Sequence, residues 1–162
     1  MKTSKSPSIP PLPGARELWD ENQQPYALPV LELPPALKKK TAALRDAKSW
    51  ADHWSQNHRK MSLEHQISCL QQALMIDPTY ARAWHSLACT YELQGRDWYA
   101  ATHCWNQVVF LTPNSDVAWF SLSQLWAGRG MMGKARECLA EYERLSGSGP
   151  ETKAKAWWEF WK

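Results

Sequence analysis

A tryptophan recurs along this chain at an almost constant interval, and this recurrence constrains the fold more than any other feature. Trp84 is followed by Trp119 35 residues later and preceded by Trp50 34 residues earlier. The series that follows the middle tryptophan is Leu87, Ala88, Tyr91, Gly95, Ala101, Trp105 and Pro113. A fixed period of this length indicates that one supersecondary unit occurs three times.

The other two copies are less complete. The copy after Trp119 continues with Leu122, Ser123, Trp126, Gly130, Ala135 and Leu139. The copy after Trp50 keeps Leu70, Ala73 and Pro78, and has His53 where leucine is expected. The middle copy carries one extra residue near 96–98. Agreement in phase across the three copies indicates a shared architecture.

Each copy predicts two helices joined by a turn. Between residues 80 and 93, apolar and small residues are spaced i, i+3, i+4 and i+7 from Trp84, which is the stripe of an amphipathic helix. Gly95 is suited to end that helix because glycine readily takes a left-handed conformation. A second stripe over 98–111 stops before Pro113, because proline disfavours helix at the preceding residue. The predicted unit is therefore a helix hairpin.

The series resembles the tetratricopeptide repeat (TPR), with Ala88 in place of the usual glycine and Trp105 in place of phenylalanine. The resemblance implies an all-α fold, a short TPR-like superhelix of three helix-turn-helix hairpins. A helical stretch is predicted to begin after Pro35. The array is expected over 37–149, with repeats at about 47–80, 81–115 and 116–149. Because one hairpin cannot bury its apolar face, each is expected to stack on the next. The tryptophans expected to fill this core are Trp50, Trp84, Trp105, Trp119 and Trp126.

Four cysteines and five histidines raise the question of a metal or catalytic site. Cys69, Cys104 and Cys138 hold the same position in three successive second helices, too far apart for a disulfide or a shared zinc ion. Neither metal-binding spacings nor a phosphate-binding loop occurs, and nothing assembles a nucleophile, a base and an orienting acid. We therefore expect no enzyme, no metal, no cofactor and no small-molecule substrate. Unpaired thiols favour a reducing, intracellular and cytoplasmic location.

The resemblance implies that partner segments bind on the inner surface, which the first helix of each repeat lines. The candidates are the residues of those helices that lie off the packing stripe. They are Arg82, His85, Cys89 and Glu92 in the second repeat, and Val117, Phe120 and Gln124 in the third. The apolar Phe120 and Val117 favour an anchor pocket, with a covering segment of the same chain as the alternative. The predicted function is that of an adaptor, assembly factor or accessory subunit that binds proteins.

Eight of the 11 prolines lie in the first 35 residues, so residues 1–36 form a proline-rich arm that is predicted to be extended. The arm is too apolar for an idle linker, and we expect it to dock in a groove of its own array or of another subunit. The candidate contact residues are Leu18, Trp19, Tyr26 and Leu31. Two alternatives stay open: a PxxP ligand for an SH3-type domain, and an organelle transit peptide, against which the prolines argue.

The segment 150–162 has four aromatic residues near its end, namely Trp157, Trp158, Phe160 and Trp161. A helix that carries them is predicted either to cap the last hairpin, to insert into a partner or to anchor at a membrane surface. The anchor defines the alternative function, a peripheral membrane-associated structural subunit of a larger complex. A net charge of +3 is mild, so nucleic acid is not an expected partner.

Overall fold

The computed structural model describes residues 7–16, 18–19, 24–95 and 97–147. Two compact units make up the chain: the N-terminal unit, Met1–Leu111, and the C-terminal unit, Thr112–Lys162. Each is considered by itself below. The predicted C-terminal aromatic helix, with Trp157, Trp158, Phe160 and Trp161, lies outside the described residues.

Helices dominate both units. The N-terminal unit contains α1 (Pro35–Lys40), α2 (Ala47–Asn57), α3 (Leu63–Ile76), α4 (Ala81–Thr90) and α5 (Trp98–Leu111). The C-terminal unit contains α6 (Asp116–Gly128) and α7 (Met132–Ser146). Helices α2 and α3, α4 and α5, and α6 and α7 pack as consecutive pairs. The prediction of three helix hairpins is confirmed; α2, α4 and α6 are called the first helices below, and α3, α5 and α7 the second helices.

The recurring tryptophans fill the core and also tie the hairpins to the preceding loops. Trp84 is fully buried, and its indole Nε1–H donates to the Pro78 carbonyl at 2.7 Å. In the C-terminal unit, Trp119 makes the same bond to the Pro113 carbonyl at 2.8 Å. Each proline lies six residues before its tryptophan, so the repeated Pro–Trp spacing satisfies an otherwise buried donor. Trp50, Trp105 and Trp126 are also buried, which confirms the predicted core.

The extra residue of the middle repeat is accommodated in the turn of that hairpin. After α4 the chain forms a π-helical turn, Tyr91–Gly95, whereas α5 begins at Trp98 as the periodicity predicts. A π turn takes up one inserted residue without disturbing the flanking helical stripes. The first hairpin instead uses a 3₁₀ turn, His58–Lys60, before α3.

The helical stretch expected directly after Pro35 is divided. Helix α1 ends at Lys40, and the Thr41 hydroxyl donates to the Leu37 carbonyl at 2.7 Å. A new helix starts at Ala47, where the Asp46 carboxylate accepts the backbone N–H of Ser49 at 2.7 Å. Capping of this kind stabilises a helix start, and it separates α2 from α1.

The arm folds back on itself and lies on the N-terminal unit. Strands β1 (Ser8–Ile9) and β2 (Leu28–Pro29) pair antiparallel, and Trp19 bridges to Pro25. Before the bend, the N–H of Ala15 bonds the Leu12 carbonyl at 2.9 Å, with Gly14 at φ 88°. Proline at the second position and a positive-φ glycine at the third are typical of a type II turn. The arm is therefore a folded part of this unit.

Candidate partner-binding surfaces

The first-helix surface of the N-terminal unit carries a small cluster of charges. Arg82 of α4 lies 3.2 Å from Asp52 of α2, and Lys48 lies 2.7 Å from the other oxygen of the same carboxylate. Both cations are exposed. Their interactions lower the pKa of Asp52, with the Lys48 hydrogen bond as the main cause, and raise the pKa of Lys48. Exposed pairs of this kind stabilise little and exchange partners readily.

The other candidates of the second repeat gather over Trp105. The His85 ring stands edge-on to the Trp105 ring, with centroids 5.2 Å apart. Glu92, in the π-helical turn, accepts the Trp105 indole N–H at 2.7 Å. The Cys89 Sγ lies 3.9 Å from His85 Nδ1. The π-helical turn thus brings Glu92 to the indole of a second helix, α5.

Burial determines the protonation of this group. Desolvation lowers the pKa of His85 and raises the pKa of the Cys89 thiol. His85 is therefore neutral and Cys89 protonated at pH 7, so neither group resembles an activated nucleophile with its base. The surface offers the half-buried His85 ring, the Cys89 thiol and the Glu92 carboxylate.

The candidates of the third repeat lie on α6 in the C-terminal unit. Val117 is 52% exposed, while Phe120 and Gln124 are half-buried. The Phe120 ring packs against Tyr142 of α7, with centroids 5.0 Å apart. Phe120 is therefore partly covered by its own hairpin, and Val117 is the more accessible apolar side chain.

The arm residues contact the second helices of the N-terminal unit. Gln71 of α3 is fully buried and bonds the arm with both ends of its amide: Oε1 accepts the Leu31 N–H and Nε2 donates to the Pro29 carbonyl, each at 2.7 Å. Gln107 of α5 accepts the Leu12 N–H at 2.7 Å. These amides pair with the arm backbone as a neighbouring strand would.

Aromatic contacts complete the docking of the arm. The Tyr26 ring stacks on Tyr99, with centroids 5.8 Å apart, and meets His103 edge-on at 5.4 Å. Desolvation lowers the pKa of His103 to about 4 and raises the pKa of the Tyr26 phenol. Leu18 is buried, whereas Trp19 is 51% exposed. Both Tyr26 and Leu31 thus make contacts within the same chain.

Sequence reasoning missed the residues that receive the arm. Gln71, His103 and Gln107 are polar residues in the second helices, and all three are buried. Each of the three is a polar residue in a helix whose other residues are mostly apolar. This is the signal that the sequence offers. Such residues indicate a hydrogen-bonding partner, because burying an unpaired polar group is costly.

Two observations concern other classes of site. In the part of the chain that the structure describes, His, Cys, Asp and Glu side chains form no cluster suited to a metal ion. Across the same residues, no helix combines the length and apolar composition needed to cross a membrane. The thiols of Cys69, Cys89 and Cys104 are free.

Consecutive helix hairpins, with a Pro–Trp bond at the start of α4 and of α6, define an all-α repeat scaffold of the TPR type. The solved structures agree with this fold. A crystal structure of MamA matches with a TM-score of 0.60 and 22% sequence identity, over 74% of this chain and 68% of that chain. The second TPR of Spaghetti (RPAP3), bound to the HSP90 peptide SRMEEVD, matches with a TM-score of 0.55 and 17% identity, over 66% and 98% of the two chains.

A third similar structure is the type III secretion translocator chaperone SycD of Yersinia enterocolitica, with a TM-score of 0.54 and 14% identity over 68% of this chain and 83% of that chain. No family model matches this sequence. No curated protein matches it either. At these sequence identities the similarity establishes the TPR-like fold alone, because function depends on the residues that a surface presents.

Proposed function

We propose that this protein is a non-catalytic protein–protein interaction module that binds a segment of a partner protein on the first helices of its N-terminal unit, α2 and α4, which form the first-helix face. It would act as an adaptor, an assembly factor or an accessory subunit. The observation that carries the proposal is the position of the arm. The hydrogen bonds of Leu12, Pro29 and Leu31 to side-chain amides, and the ring contacts of Tyr26, go to α3 and α5. These described arm residues thus contact the second helices, which supports a partner site on the first helices.

Two of the similar structures support this proposal because they are associated with protein partners. One TPR is seen with a short acidic peptide, and another is a chaperone for a translocator. Concave surfaces of helical repeats commonly bind extended peptides. The free thiols support an intracellular location, which is part of the same proposal.

The chemistry of the N-terminal unit suggests which partner segment would bind. Arg82 is exposed and its pairing with Asp52 is weak, so a partner carboxylate can compete for the guanidinium. His85 lies beside it on α4, over the indole of Trp105, and can contact an apolar or aromatic anchor. An extended segment with an apolar residue next to an acidic one would use both groups.

Site-specific photocrosslinking tests the location of this site. A photoreactive amino acid at Lys48, which is exposed on α2 and shares the Asp52 carboxylate with Arg82, should capture the partner in cells, and mass spectrometry would identify it. The same amino acid at Glu64, which is exposed on α3, is the matched control. Capture only from Glu64 would contradict the proposal.

Calorimetry with the purified partner tests the residues. The double variant Arg82→Ala/His85→Ala should weaken binding by at least about tenfold, because it removes a charge-assisted bond and a contact surface. Glu64→Gln should leave the dissociation constant unchanged. Equal affinity of the double variant and the wild-type chain would exclude the first-helix face as the site.

A further inference from the structure

A groove of about 520 Å³ lies beside the docked arm in the N-terminal unit. One wall consists of arm residues, the other comes from α3, and Lys38 of α1 closes one end. The lining residues are Pro7, Val30, Leu31, Glu32, Leu33, Lys38, Gln72 and Met75. It is on the second-helix side and is distinct from the first-helix face.

The groove has an internal counterpart one repeat further along the chain. Helices α3 and α5 each have 14 residues, and their starts, Leu63 and Trp98, are 35 residues apart. With this offset, Gln72 corresponds to Gln107 and Met75 corresponds to Phe110. The two helices therefore present the same pair of positions, a glutamine followed three residues later by a large apolar side chain.

In the second repeat this pair is occupied by the arm. Gln107 accepts the Leu12 N–H at 2.7 Å. Two residues on, Gly14 lies so close to the Phe110 ring that a methyl group added at the glycine would be 3.3 Å from Cε2. The turn that starts at Leu12 thus directs the Leu12 N–H to Gln107 and brings the backbone of Gly14 close to the Phe110 ring.

In the first repeat the same pair lies in the groove. Met75 is 51% exposed. The hydrogen bond that Gln72 makes within the described residues runs from its Nε2 to Met75 Sδ at 3.9 Å, a weak interaction. Its Oε1, the atom that corresponds to the acceptor of Gln107, is therefore suited to receive a backbone N–H.

We propose that this groove binds an extended proline-containing segment of a partner protein, of the Leu-Pro-Gly type. The leucine N–H donates to Gln72, and the following proline and glycine lie against Met75. The occupant is inferred from the second repeat, where Leu12–Gly14 takes the equivalent place. Glu32 and Lys38 are 3.3 Å apart at the rim and neutralise each other, so the groove favours an uncharged segment.

A proline-containing segment suits this site for a physical reason. Its backbone is already extended before binding, so little conformational entropy is lost. The methionine is adaptable and can follow the shape of a proline ring or a glycine backbone better than a branched side chain. Such a site adds a second recognition surface to the one proposed above.

Fluorescence anisotropy with the full chain tests the proposal. The probe is the capped, fluorescein-labelled peptide Pro-Pro-Leu-Pro-Gly-Ala, which repeats residues 10–15. Met75→Lys and Gln72→Ala should each weaken binding by about tenfold, because they charge the groove or remove the acceptor. Met132→Lys changes an exposed methionine of α7 in the C-terminal unit and should have no effect.

Two further experiments distinguish binding in the groove from binding at Gln107 and Phe110, where the chain's own Leu12–Gly14 lies. A peptide with N-methyl-leucine lacks the donated N–H and should bind about tenfold more weakly. Gln107→Ala should leave binding of the unmodified peptide intact. Absence of binding at 1 mM protein, full binding by Met75→Lys, or loss of binding in Gln107→Ala alone would each overturn the proposal. These results are independent of the first-helix site, because neither Arg82 nor His85 lines the groove.

Discussion

Gln71 shows how a single buried side chain decides where a segment docks. Its amide accepts the N–H of Leu31 and donates to the carbonyl of Pro29, so both backbone groups find their partner on α3. Neither bond follows from periodicity, because amphipathic patterns assign residues to a face and do not identify their hydrogen-bond partners. The sequence therefore predicts that the arm docks, and the buried amides determine the side on which it does so.

Gly14 is required by backbone conformation and by space together. Its φ is positive, and a Cβ there would press on Phe110. Gly14→Ala should therefore lower the free energy of unfolding by about 1–2 kcal/mol. Gly128→Ala is the control, since its site is open and helical, and it should be neutral or slightly stabilising. Urea unfolding measures both, and equal values for the two variants would contradict the turn geometry.

His103 makes the stability of the fold depend on pH. Its pKa is about 4 in the folded chain, below the ordinary value of 6.5, because burial disfavours the charged ring. The unfolded chain thus binds the extra proton between these values. Stability is complete above pH 6.5 and falls as the pH drops towards 4, by about 2 kcal/mol at pH 5.

The variant His103→Phe isolates this effect because it keeps a ring and cannot titrate. The difference in unfolding free energy between pH 7 and pH 5, measured with urea, should be smaller in the variant by about 2 kcal/mol. An unchanged difference would show that His103 is protonated without penalty in the folded chain.

Among the elements, the hairpins were the most predictable and the turns the least. Helix α5 spans 98–111, as its stripe and Pro113 indicate, and the tryptophans lie in the core. The division between α1 and α2 was missed because the Asp46 cap competes with a continuous helix. The sequence indicated one extra residue near this turn but not the π-helical conformation, since periodicity reveals an insertion and not its geometry.

The bond from Trp105 to Glu92 connects the π-helical turn to α5. Trp105 is buried, so Glu92→Ala leaves its N–H unpaired and should lower the free energy of unfolding by about 1–3 kcal/mol. Glu92→Gln keeps an acceptor oxygen and should lose less than half of that amount. Urea unfolding followed by tryptophan fluorescence measures both variants. Equal losses in the two would indicate that the carboxylate charge, rather than the hydrogen bond, stabilises the turn.

At the scale of the whole molecule, the candidate first-helix residues were predictable because the TPR resemblance assigns inner positions by count. The contacts of these residues were not predictable. Arg82 forms an ion pair with Asp52 of another helix, and the Phe120 ring packs against Tyr142. Such contacts depend on how helices pack, which a one-dimensional period does not contain. The role of these residues in partner binding and the membrane-anchor alternative for the tail stay predictions.

The described arm residues dock in cis on the second helices of the N-terminal unit, and the proposed partner site lies on its first helices. Nuclear Overhauser spectroscopy on the full chain tests this docking most directly, with an isotope-filtered experiment on mixed labelled and unlabelled protein. If the arm docks in cis, intramolecular contacts should connect the rings of Tyr26 and His103, and Gly14 and the Phe110 ring. These groups touch in the folded unit. Absence of these contacts, or their appearance only between labelled and unlabelled chains, would contradict docking in cis.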